Sequence, residues 1–104
     1  MKVFLSLPTD GTSEEEIELT RSKMVKEIKK LHPGSNVAVL NPYKEGASED
    51  ISLLFLGDAI QTLNNVDAAY FTNDWKYARG CSIIYQVCEA YGIPVFVLDP
   101  LGDI

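Results

Sequence analysis

Val3-Phe4-Leu5-Ser6-Leu7-Pro8-Thr9-Asp10-Gly11-Thr12-Ser13-Glu14-Glu15-Glu16 holds a strand, a turn and the opening of a helix in one short stretch. The apolar run does not alternate with polar residues, so it reads as a strand buried on both faces. Pro8 stops it, and 8–13 is a polar turn cluster. Thr12 with Glu15, or Ser13 with Glu16, fits a capping box, and three glutamates suit the positive end of a helix dipole. The helix then carries Ile17, Met24, Ile28 and Leu31 on one stripe and ends basic at His32-Pro33-Gly34. His32 reads as a partner of that helix C-terminus.

Working outward, the same grammar repeats. Residues 37–40 form a second apolar strand, broken by Asn41-Pro42-Tyr43 and a polar loop through Asp50. A helix over 51–64 follows, with Leu53, Leu56, Ile60 and Leu63 expected inward. Leu54 and Phe55 lie off that stripe, which gives the helix more apolar surface than one core face needs. A third strand spans 66–71 and leaves through Thr72-Asn73-Asp74-Trp75. A third helix spans 78–91, with Ile84, Val87, Cys88 and Tyr91 inward, and Gly92-Ile93-Pro94 leads into a fourth strand at 95–98. Strand-helix alternation of this kind predicts an α/β/α sandwich with a four-stranded parallel sheet, flavodoxin-like or Rossmann-like, in a single domain over 1–104. A ligand site in such a sheet lies at the carboxyl ends of the strands.

Composition narrows the function classes. The 104 residues carry 9 Lys plus Arg against 15 Asp plus Glu, a net charge of −6, which argues against a nucleic-acid polymer as partner. No apolar run approaches the ~18 residues of a membrane span. The Lys2-Val3-Phe4-Leu5 start is too short for a signal peptide, and a cytoplasmic home is expected. With two cysteines and one histidine, neither a disulfide framework nor a four-ligand zinc site is expected, and no metal or cofactor is implied. Cys81 and Cys88, seven apart on one helix, cannot bridge each other.

Several residues at the strand ends can carry chemistry. Ser6, Thr9, Gly11 and Thr12 lead into a helix N-terminus suited to sugar or phosphate oxygens, although no Walker lysine follows the glycine. Asn73, Asp74 and Trp75 can meet a flat ring and its polar edge. Arg79 and Gly80 open the third helix, beside Cys81 and Ser82, with a guanidinium and backbone N–H groups. Asp58 sits mid-helix, where aspartate has poor propensity.

Taken in order, Val3-Phe4-Leu5-Ser6-Leu7-Pro8, Leu56-Gly57-Asp58-Ala59 through Val66-Asp67-Ala68, Trp75 through Arg79-Gly80-Cys81, and Ala90-Tyr91-Gly92-Ile93-Pro94-Val95 resemble the nucleoside 2-deoxyribosyltransferase-like family over nearly the whole chain. A short branch of that family reads roughly "ISGP", "DLxxLxxCDA" and "GWxxSRGAxxExxxAxxxGIPV". The resemblance implies cleavage or transfer at a nucleoside N-glycosidic bond by a carboxylate nucleophile on the third helix, assisted by an aspartate that falls on Asp58. Alignment without a gap puts Ile84 at the nucleophile's position, and isoleucine cannot attack an anomeric carbon. The expected function is therefore a catalytically degenerate binder of a nucleoside or nucleotide, assembled as a homo-oligomer. In it Trp75 stacks on the base, Asp58 accepts a ribose hydroxyl, and Ile84→Glu is expected to create or raise N-glycosidase activity. Two alternatives stand beside it: an active N-glycosidase or deoxyribosyltransferase using Asp58 or Asp74, and an oligomerisation or interaction module using the apolar 53–56 face.

Overall fold

The computed structural model describes residues 1–8, 13–40 and 52–99. Thr9, Gly11 and Thr12, named above as ligand-binding candidates, lie outside these residues, as does Asn41-Pro42-Tyr43. The elements are β1 (Lys2–Ser6), α1 (Glu14–Leu31), β2 (Ala38–Leu40), α2 (Ser52–Thr62), β3 (Ala68–Thr72), α3 (Arg79–Ala90) and β4 (Val95–Leu98). Short 3-10 turns at Leu63–Asn65 and Trp75–Tyr77 follow α2 and precede α3. All three strand pairings are parallel, in the order β2-β1-β3-β4.

Alternation along β1 and β3 sorts the core into two layers. Val3, Leu5 and Leu7 pack with Ala68 and Tyr70 under Ile17, Met24 and Ile28 of α1. Phe4, Ala69 and Phe71 face the other way, against Ala59 of α2, Leu63 beyond it, and Cys81, Ile84 and Cys88 of α3. The expected α/β/α sandwich is the architecture observed.

Of the two capping pairs, Ser13 is the N-cap of α1, and its hydroxyl accepts the Glu16 N–H at 3.2 Å. At the other end the His32 ring meets the Tyr70 hydroxyl at 2.6 Å, a tie from a helix end to a buried strand residue. Gly92 ends α3 with φ 72°, a left-handed turn that a side chain would strain, and the Ile93 N–H returns to the Cys88 carbonyl.

Several core expectations are corrected. Leu31 and Tyr91 are exposed, because each stands at the last position or cap of its helix, past the edge of the sheet. Leu53 and Ile60 also face solvent, whereas Leu63 is buried and Leu56 packs against the core as expected; Ala59 completes the inward face of α2. β2 and β4 are edge strands rather than fully buried ones, and Phe96 and Val97 stay about half exposed.

Burial sets one pH response. The Cys88 thiol, fully enclosed, is pushed up from its ordinary 9.0 to about 11 by loss of solvent. Between those values the unfolded chain has released its proton while the folded one retains it. Stability therefore falls as pH rises through that window, by roughly 2–3 kcal/mol. Tyr70, raised above 10.0 by burial, adds to the fall at its upper end. Denaturant titrations at stepwise alkaline pH should show this slope, and Cys88→Ala should flatten it while lowering the whole curve.

Candidate functional site at the strand ends

The carboxyl ends of β1 and β3 lie side by side, since Ser6 is in register with Phe71 and Thr72 with Leu98 of β4. The first turn of α3 stands beside them. Ser6 is buried, and its hydroxyl donates to the Cys81 sulfur at 3.1 Å. That bond joins the end of β1 to the start of α3 and makes Ser6 part of the site's wall. Sulfur is a weak acceptor, so a stronger oxygen acceptor can compete for this hydroxyl.

The exit of β3 is more tightly built than a plain loop. Thr72, almost fully buried, donates its hydroxyl to the Asp74 carboxylate at 2.5 Å. Asp74 itself is exposed, and its backbone carbonyl accepts the Tyr77 N–H of the following 3-10 turn. Its carboxylate is thereby held at the sheet edge from below while remaining open to solvent. Asn73 is exposed beside it.

Trp75 lies flat on Tyr85 of α3, with ring centroids 3.8 Å apart and planes within 7°. Both rings meet Phe71 edge-on. The Lys76 ammonium stands over the indole, 5.9 Å from its centroid. Since Tyr85 fills one face of the indole, a flat ligand can stack only on the other. Lys76 is then the neighbouring cation, attracted by the ring quadrupole.

Arg79, exposed, is the first residue of α3, and the N-cap Ala78 has no side-chain oxygen to cap the N–H groups of the first turn. A Cβ built on Gly80 would meet nothing within 4 Å, so this glycine leaves room at the helix start. Asp58 is exposed midway along α2, and its backbone carbonyl accepts the Thr62 hydroxyl at 2.8 Å. The structure thus brings Ser6, Asp74, Trp75, Arg79 and Gly80 to the end of the sheet shared by β1, β3 and α3. Asp58 lies on α2, which packs beside α3 in the same layer. Among the described residues no group of three or more His, Cys, Asp or Glu could hold a metal ion.

Ile84 is only 2% exposed, enclosed with Phe4, Phe71, Cys81 and Cys88. Tyr85, Lys76 and Thr72 are the site neighbours that sequence reading missed. Trp75 and Tyr85 are ten residues apart in different elements, and no periodicity links them. The Thr72–Asp74 pair had a weak local signal, a hydroxyl two residues before a carboxylate.

The overall architecture has a counterpart among solved structures. The chain superposes on a solved 2-deoxyribosyltransferase from the psychrotolerant bacterium Bacillus psychrosaccharolyticus, with a TM-score of 0.61 at 17% sequence identity. The match covers 100% of this chain and 76% of that one. The chain has the fold of a 2-deoxyribosyltransferase. That enzyme is described as a biocatalyst for the synthesis of antiviral and antitumoral nucleosides. No protein-family model and no curated protein matches the chain. The 2-deoxyribosyltransferase fold therefore rests on backbone architecture. Among the described residues, no helix is long and apolar enough to cross a membrane.

Proposed function

We propose that the chain, 1–104, is a nucleoside 2-deoxyribosyltransferase-like domain that binds a nucleoside or nucleotide at the strand ends without turning it over. One observation carries the reading: Ile84, which the family resemblance puts at the nucleophile's position, is packed in the core of a chain with a deoxyribosyltransferase fold. The base stacks on Trp75 beside the Lys76 ammonium, Asp74 and Asp58 accept sugar hydroxyls, and Arg79 with the start of α3 receives anionic oxygens. The partner is a small molecule, the chain acts in the cytoplasm, and it does so as a homo-oligomer.

A thermal-shift screen with nucleosides, nucleoside monophosphates and ADP-ribose-type nucleotides tests the reading, with chromatography for released base. A ligand at about 100 times its Kd adds about 2.7 kcal/mol to stability, roughly 10–20 °C in a domain of this size. The expected result is such a rise with the ligand recovered intact. A second reading has its own support, because the Thr72 hydroxyl holds the Asp74 carboxylate at the sheet edge as a fixed nucleophile would need. Base release that Asp74→Asn abolishes would establish that reading and overturn the binder.

A further inference from the structure

We infer that Lys76 selects the ligand of the strand-end site. Its ammonium covers the one face of Trp75 that Tyr85 leaves open, so a nucleoside carrying a phosphate displaces it more readily than an uncharged nucleoside does. The inference rests on the binder proposed above and names the ligand class that it takes.

The indole is held from two directions. Tyr85 lies against one face, with 3.8 Å between ring centroids and 7° between planes, and Phe71 meets the indole edge-on at 6.3 Å. These contacts fix the plane of the ring against β3 and α3. The Lys76 ammonium is 5.9 Å from the indole centroid, and since the tyrosine ring fills the first face, it stands over the second. A base touching that second face lies roughly 3.5–4.0 Å above it. The ammonium is then within contact distance of the base and has to yield.

What it yields to depends on the ligand's charge. An exposed ammonium over an indole is held there by the ring quadrupole. An uncharged nucleoside takes that attraction away and returns no charge. A phosphate returns a charge-assisted contact. Lys76 is free to make the exchange: it is exposed, its four-carbon stem is flexible, and among the described residues no carboxylate pairs with it.

The distribution of cations points the same way. The chain holds 9 Lys plus Arg at net charge −6. Most of them ride on α1, which packs on the opposite face of the sheet from α3. Among the described residues, Lys76 and Arg79 are the two cations between the exit of β3 and the first turn of α3. Asp74, two positions before Lys76, accepts the Thr72 hydroxyl and keeps its negative charge at the sheet edge. A phosphate is therefore repelled from the edge and drawn toward Lys76 and Arg79.

Quenching of the chain's one tryptophan tests the cover without any ligand. A surface of net charge −6 favours cesium over iodide as the quencher. At Trp75 the opposite order is expected, iodide ahead of cesium, kept in Lys76→Arg and reversed in Lys76→Ala. Titration with a nucleoside and with its monophosphate tests the selection. The wild type is expected to bind the monophosphate more tightly. Lys76→Ala is expected to tighten nucleoside binding roughly two- to fivefold, the weight of an exposed cation–π contact, and to narrow the ratio of the two affinities by at least that factor. If either ligand binds, then cesium preference in the wild type, equal affinities, or a Lys76→Ala variant that weakens both ligands alike overturns the inference and leaves the binder standing. Iodide preference with no binding of either ligand overturns the binder, and the selection falls with it.

Discussion

Ile84→Glu is expected to lower the unfolding free energy by about 3–5 kcal/mol, the cost of an unpaired charge in a core. Its surroundings are Phe4, Ala59, Leu63, Phe71, Cys81 and Cys88, none of which is a cation. The new carboxylate stays protonated in the folded state and ionises on unfolding, so its folded pKa is raised. The destabilisation therefore grows as pH rises above the unfolded glutamate value of about 4.3. Urea denaturation at mildly acidic and neutral pH measures both terms. Ile84→Val supplies the packing baseline, at about 0.5–1.5 kcal/mol. Since small domains hold only about 5–15 kcal/mol in all, the glutamate variant is expected to be marginally folded. No base release is expected from it. Full stability together with base release would mean that position 84 opens onto the site, contrary to the packing described above.

Trp75→Ala is expected to erase the nucleotide-induced thermal shift, with at least a tenfold loss of affinity. Base–aromatic stacking is worth roughly 1–3 kcal/mol per base. Trp75 is the chain's one tryptophan, so quenching of its fluorescence reports the same event in the wild type. The substitution also removes the ring stacked on Tyr85 and edge-on to Phe71, each contact worth roughly 0.5–1.5 kcal/mol. Stability loss and affinity loss must therefore be separated, which Lys76→Ala does. Lys76 stands over the indole without holding the core, so its removal should leave unfolding unchanged. Affinity for phosphorylated ligands should then fall relative to that for uncharged nucleosides. If Trp75→Ala retains the full ligand response, the ligand does not lie on the indole.

The succession of strands and helices and their layers were legible because they follow from patterns that every residue obeys. The apolar run at 3–7 and the stripe Ile17, Met24, Ile28 report burial directly. The helix ends at Ser13 and Gly92 report capping. Failures came where a neighbour outside the local pattern decides. Leu53 and Ile60 satisfy helical spacing as well as Ala59 and Leu63 do, and only the packing of α2 on the sheet selects between the two stripes. The position of Trp75 at a strand exit could be read, but its partnership with Tyr85 depends on how the 3-10 turn at Trp75–Tyr77 aims the indole. Ser6 was singled out for oxygen binding, and its bond to Cys81 joins residues 75 apart in the chain. Long-range partnerships of this kind leave no periodic trace.

The central place of β1 bears on how the chain comes off the ribosome. Val3, Phe4 and Leu5 end up sealed between two helical layers, yet the strand is made long before β3, with which it pairs from Val3↔Ala68 onward. At roughly 5–20 residues per second, several seconds of synthesis separate them. β2, on the other flank, arrives sooner but offers only three residues, Ala38–Leu40. The nascent chain thus carries this buried segment without its main partner until β3 has been made. A holdase that binds short extended apolar peptides has its natural target at residues 3–7, and β3 is the segment that displaces it.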